Sequence, residues 1–201
     1  MSITTYAELQ TSVAGWLHRD DLTAIIPDLI TLAEKRIFRE VRCRVMESAL
    51  SGTTSTGMLA VPADYLQLKF AYVVATPVIQ LSRMSASQLL TQYPLRSASS
   101  KPQAIARQGS NFIFGPFPAS DTDIAGIYYA KPAAIETSAN ALFLANPDLY
   151  LFATLCEAVP YLKDDPRIVI WEAKLKQIMY QLANEDADEY GSGGGLSVQT
   201  A

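Results

Sequence analysis

A chain of 201 residues, 49% apolar and 18% charged, is long enough to bury a core as one domain or two packed subdomains, and that balance excludes a disordered polar chain. Its formal charge of −4 and pI of about 5.0 exclude a generally basic nucleic-acid binder. No apolar run approaches the ~20 residues of a membrane span, and the first residues lack the basic and apolar regions of a secretory signal, so a soluble protein made in a cytosol is expected.

Thr5-x-x-Glu8 is a capping box and predicts a helix over 5–17, with Tyr6, Leu9, Val13, Trp16 and Leu17 on its apolar face. After a break at His18–Asp21, a second helix is expected over 22–41, with Ile26, Ile30, Ala33, Ile37 and Val41 on one stripe and Pro27 in its first turns. From Arg44 to Ala130 the texture changes to short apolar runs separated by Gly52, Gly57, Pro62 and Pro77. Such punctuation predicts a small antiparallel sheet or barrel, with Leu68, Phe70, Tyr72 and Val74 sharing one face and a short helix over 85–93. Gly115-Pro-Phe-Pro118 must be an edge or turn, because its two prolines cannot donate to a ladder.

Two helices then return, over 147–162 and 166–189. Asn146-Pro147-Asp148 and Asp165-Pro166 supply their starts. Leu149, Phe152, Cys156 and Val159 line the first, which must bend or end at Pro160; Ile168, Trp171, Leu175, Ile178 and Leu182 form the seam of the second. Gly191–Gly195 reads as a hinge, followed by Leu196–Ala201 with apolar residues alternating at a period of two. The expected fold class is α+β: a bundle of about four helices from 1–43 and 147–190, an inserted antiparallel β-rich lobe over 44–146, and a flexible C-terminal arm over 191–201. The stripes through Ile30/Ile37 and Trp171/Ile178 are expected to be buried together.

Catalytic, cofactor-binding and metal-binding residues are not expected. His18 is the sole histidine, and Cys43 and Cys156 stand far apart, which suits buried apolar packing rather than a metal shell. Asp64 with Asp121 or Asp123 is the nearest approach to a glycosidase-like carboxylate pair. No phosphate loop or nucleophile elbow is present. The one basic concentration is Lys35, Arg36, Arg39, Arg42 and Arg44, with Lys35, Arg39 and Arg42 stepping along one helix face. Its expected counterpart is the acidic run Glu185, Asp186, Asp188 and Glu189, as an electrostatic contact rather than a DNA-binding patch.

Taken in order, several segments have a familiar arrangement: Thr5-Tyr-Ala-Glu-Leu9 with Trp16-Leu17-x-Arg-Asp-Asp-Leu22, then Ile26-Pro-Asp-Leu-Ile30-x-x-Ala-Glu34, then Leu59-x-Val-Pro62-x-Asp-Tyr-Leu66. Phe114-Gly-Pro-x-Pro118, Tyr128-Tyr-Ala-Lys131, and Pro147-Asp-Leu-Tyr150 running into Glu157-Ala-x-Pro160 follow. The chain thereby resembles the head-to-tail adaptor proteins of tailed bacteriophages, of the tail tubular protein A type. That resemblance implies a non-enzymatic virion protein at the head–tail junction, assembled in the host cytoplasm as a ring of about twelve copies under the portal. It implies as partners the portal protein, neighbouring adaptor subunits and a tail nozzle or tail-tube protein, with double-stranded DNA passing non-specifically and no membrane contact. It also implies that Leu196, Ser197, Val198, Gln199, Thr200 and Ala201 reach into the portal. The charge pattern, read by itself, leads to the expectation that Lys35, Arg36, Arg39 and Arg42 meet the acidic run across subunits. The rival readings are a neck stopper or tail-tube completion protein, and a tail-associated carbohydrate-active enzyme.

Overall fold

The computed structural model describes residues 3–96, 100–119, 121–162 and 165–192. The described helices, in chain order, are α1 (Tyr6–Leu17), α2 (Ile26–Glu40), α3 (Ala86–Gln92), α4 (Ala141–Ala145), α5 (Pro147–Glu157) and α6 (Arg167–Ser192). The strands are β1 (Glu47–Thr53), β2 (Met58–Ala60), β3 (Tyr65–Val73), β4 (Ile79–Gln80), β5 (Ser82–Arg83), β6 (Ala104–Gln108), β7 (Asn111–Gly115) and β8 (Asp123–Ala130). The fold class is α+β, and the chain divides into two compact units, Met1–Met46 with Pro132–Ala201, and Glu47–Lys131.

In the helical unit, α1 opens on the capping box: Thr5 Oγ1 accepts the Glu8 amide at 3.3 Å and Glu8 Oε2 accepts the Thr5 amide at 3.0 Å. The predicted second helix is two elements, a 3-10 stretch over Asp20–Ile25 and then α2. Pro27 explains the change, since its ring would clash with the carbonyl of Thr23 if the α ladder ran through it. Pro160 acts as expected: α5 stops at Glu157 and a 3-10 turn over Val159–Tyr161 follows. The Ile30/Ile37 and Trp171/Ile178 stripes are both buried, but α5 is the element against which α1, α2 and α6 all pack. Its burial is therefore nearly all-round rather than one-faced: Leu149, Tyr150, Leu151, Ala153, Thr154, Leu155 and Cys156 are all inside. The Thr154 hydroxyl, enclosed with them, donates to the Tyr150 carbonyl at 2.7 Å.

Residues 132–146, grouped with the lobe in the sequence, cluster with the helical unit. Two buried polar residues hold them there. Glu34 Oε1 accepts the Ile135 amide at 3.0 Å, and Asn140 caps α4 by accepting the Phe143 amide at 2.8 Å. Asn140 also donates to the Ala133 carbonyl at 2.7 Å and accepts from the Tyr150 hydroxyl at 3.3 Å.

The β unit is two four-stranded sheets, ordered β1-β8-β3-β4 and β2-β7-β6-β5, antiparallel apart from the β5–β6 pair. Leu50, Leu68, Ala71, Val73, Ile124 and Tyr128 of the first sheet share a core with Leu59, Ile105, Phe112 and Phe114 of the second. The outer face of the second sheet is covered by α3, with Leu89 packed on Ala104, Ala106 and Ile113.

Strand β3 departs from the predicted alternation. A register shift between Leu68 and Phe70 leaves Lys69 as the extra residue opposite β8, so Leu68, Ala71 and Val73 point inward while Phe70 and Val74 are exposed. The outer face of the first sheet thus carries the cross-strand rows Ala49–Ile127–Phe70 and Ser51–Ala125–Tyr72–Gln80. Ile127 and Phe70 are 38% and 37% exposed.

Candidate interaction surface

The catalytic candidates disperse. His18 is the left-handed C-cap of α1, with φ 51° and its amide bonded to the Ala14 carbonyl at 3.0 Å. Asp64 accepts the Tyr128 hydroxyl at 2.9 Å near the end of β8, whereas Asp123 accepts the Thr53 hydroxyl at 2.7 Å at its start. Five residues of β8 separate Asp123 from Tyr128, roughly 17 Å at the rise of a strand. Paired glycosidase carboxylates stand within about 10 Å of each other, so Asp64 with Asp123 is not such a pair. Asp121 and Asp123 do share an open hollow of about 410 Å³ with Lys101 and Val74. Cys43 and Cys156 are buried and form no disulfide, and burial pushes the Cys156 thiol up to about 11. Among the described residues no group of three His, Cys, Asp or Glu side chains is placed to hold a metal ion. Nor is any described helix long and apolar enough to cross a membrane.

The basic concentration splits by role. Lys35 and Arg39 are exposed on α2. Arg36 is half-buried between Glu40 and Glu157, at 3.4 Å from a carboxylate oxygen of each. Because α2 ends at Glu40, Arg42 does not continue the helical face with Lys35 and Arg39. Instead it folds back on the helix end, donating through Nη1 to the carbonyls of Phe38 at 2.8 Å and Val41 at 2.5 Å, a placement the helix dipole favours. Arg44 lies in a 3-10 turn and is exposed. Glu185, Asp186, Asp188 and Glu189 fall on the backbone of α6, but their side chains lie outside the described set, and Leu196–Ala201 lie outside the described residues altogether.

Exposed apolar surface is what sequence reasoning did not find. On α6, Val169 and Tyr180 are 73% and 70% exposed. With Ala173 they recur at four- and seven-residue steps, on the side opposite the buried Trp171–Leu175–Ile178–Leu182 seam. The helical period held the signal, but the stronger core seam on the same helix masked it. The outer row Ala49–Ile127–Phe70 could not be read from sequence, because its register depends on the bulge in β3.

No sequence among curated proteins matches this chain. The sequence model of the SU10 adaptor protein family matches residues 4–198, a span that takes in every described helix and strand of both units. The chain belongs to the SU10 adaptor protein family and is a phage adaptor protein.

Proposed function

We propose that this protein is a structural head-to-tail adaptor. About twelve copies close into a ring beneath the portal, join the DNA-filled head to the tail nozzle or tail tube, and leave a lumen for double-stranded DNA. The family match over residues 4–198 carries this proposal. An adaptor needs interfaces rather than a cleft, and the exposed apolar rows of α6 and of the first sheet supply them, while Asp64 and Asp123 lie too far apart to act as a glycosidase pair.

The net charge of −4 favours a conduit, because an acidic ring repels phosphate and lets DNA slide past. Lys35 and Arg39 face outward toward the acidic run Glu185–Glu189 of a neighbouring subunit, with Arg36 and Arg42 supporting the same end of α2 from within. Leu196–Ala201 docks extended on the portal, its period-two pattern placing alternate side chains in pockets.

Purified protein mixed with the matching portal, sedimented and imaged, tests this. A co-sedimenting complex with one added ring is expected, and a chain that never associates with the portal overturns the proposal. Deleting residues 193–201 is expected to leave thermal stability unchanged and to abolish portal binding.

A further inference from the structure

We propose that the outer face of the β1-β8-β3-β4 sheet is the seat for helix α6 of a second copy of this chain. This inference rests on the ring proposed above and names the two surfaces that meet in it. The face is apolar at its centre, where Ile127 lies between Ala49 and Phe70, and Phe70 contacts Tyr72 with ring centroids 5.5 Å apart. Its rim is polar: the Glu47–Lys69 ion pair at one end, the Thr53–Asp123 hydrogen bond at the other. An apolar centre with a polar rim is the anatomy of a protein interface.

The neighbouring sheet shows what such a face accepts, since its own outer side is covered by the helix α3. Among the described residues of the β unit, no helix does this for the first sheet. The α6 ridge Val169–Ala173–Tyr180, with the exposed Lys176 at its middle, has nothing of its own unit packed on it among the described residues. From Val169 to Tyr180 the ridge runs roughly 17 Å at helical rise. Four strands span roughly 14 Å from first to last, so one helix covers the row.

Charge decides which copy-to-copy arrangement is favoured. The β unit has six Lys and Arg against four Asp and Glu, and the helical unit has ten against sixteen. A β unit therefore attracts the helical unit of another copy, while pairing β unit with β unit brings like net charges together. Because the two surfaces differ, the contact can repeat head to tail, the heterologous kind from which rings are built, whereas a two-fold pair with each α6 on the other's sheet would stop at a dimer.

Ile127→Cys and Val169→Cys provide the test, because the two native thiols are buried. Each variant alone, their mixture, and the double variant are treated with a short thiol-to-thiol cross-linker, both concentrated and bound to the portal. Cross-linked dimer is expected from the mixture and not from either variant alone, with the double variant giving a ladder of multimers. Adding Tyr180→Asp to the Val169→Cys chain is expected to abolish the dimer without lowering thermal stability. The seat is overturned if the protein binds the portal normally yet the mixture does not cross-link. It is also overturned if either variant cross-links to itself, or if the double variant closes within single chains at high dilution. Cross-linking in concentrated mixture without portal association would leave this contact standing and reject the adaptor reading alone.

Discussion

Trp171 is 2% exposed at the base of α6, with the Arg167 guanidinium 5.1 Å from its ring. That same guanidinium grips Asp165 at 2.6 Å and donates to the Trp16 carbonyl at 2.8 Å, so this corner ties the start of α6 to the end of α1. Trp171→Ala is expected to cost about 3–5 kcal/mol of stability, read from the midpoint and slope of urea unfolding. Cys156 offers a second check. Burial raises its thiol from the ordinary 9.0 to about 11, so the folded chain holds a proton that the unfolded chain releases. Stability from this group is present below pH 9 and is lost as pH rises toward 11. Cys156→Ala is expected to flatten that part of a stability–pH curve, and native Cys156 to resist thiol reagents at neutral pH. Trp171 and Cys156 were legible as core from helical spacing alone, as was the Thr5/Glu8 cap. The carbonyl-binding role of Arg42 was not, because it depends on where α2 stops, and a neighbouring basic residue such as Arg39 looks identical in the sequence.

At the scale of elements, the bulge in β3 has a partner across the ladder. A Cβ added at Gly126 of β8 would lie 2.2 Å from the Phe70 carbonyl oxygen and 2.8 Å from the Ala71 Cα, both backbone atoms that no side-chain rotation can move away. Gly126→Ala is therefore expected to destabilise the β unit by several kcal/mol. Loss of slow amide exchange protection in β3 and β8, with the helices retaining theirs, is the diagnostic result. The sequence located β3 and β8 because their apolar content and flanking turns are local signals. It misjudged which β3 residues point inward, since a single bulged residue reverses the alternation and is set by the partner strand. The all-round burial of α5 escaped for a related reason: its Tyr150 and Thr154 look amphipathic until their hydroxyls are seen satisfied inside.

For the whole molecule, the separation of charge between units sets expectations for DNA. With Arg36 and Arg42 engaged within the chain, the basic end of α2 presents fewer outward cations than its sequence suggests. Weak duplex binding with a shallow salt dependence is expected in an electrophoretic or anisotropy titration. Retention at physiological salt with a steep slope would make that end of α2 a phosphate-binding face. Family and architecture were legible because motifs persist in order along the chain. The apolar contact surfaces were not, since an exposed Ile127 or Tyr180 differs from a core residue only in what surrounds it.

The two crossings into the β unit are neighbours in space: Glu47, just after the first, pairs with Tyr129, two residues before Lys131 at the second. Tension that draws these crossings apart does not shear the sheet along its strands. It peels β1 from β8 like a zipper, one residue pair at a time from Glu47 toward Thr53, which is the geometry of low mechanical resistance. The Glu47–Lys69 pair and the 2.6 Å bond from the Lys131 amide to the Asp64 carbonyl guard that opening end. Under load applied through the two termini, both of which belong to the helical unit, the packing of α1 and α2 on α5 takes the force first, and the lobe's zipper opens only once that packing has parted, lengthening the subunit in a second step. Force spectroscopy on Glu47→Gln, with its ion pair weakened, is expected to show the lobe's rupture at lower force while the helical rupture stays unchanged.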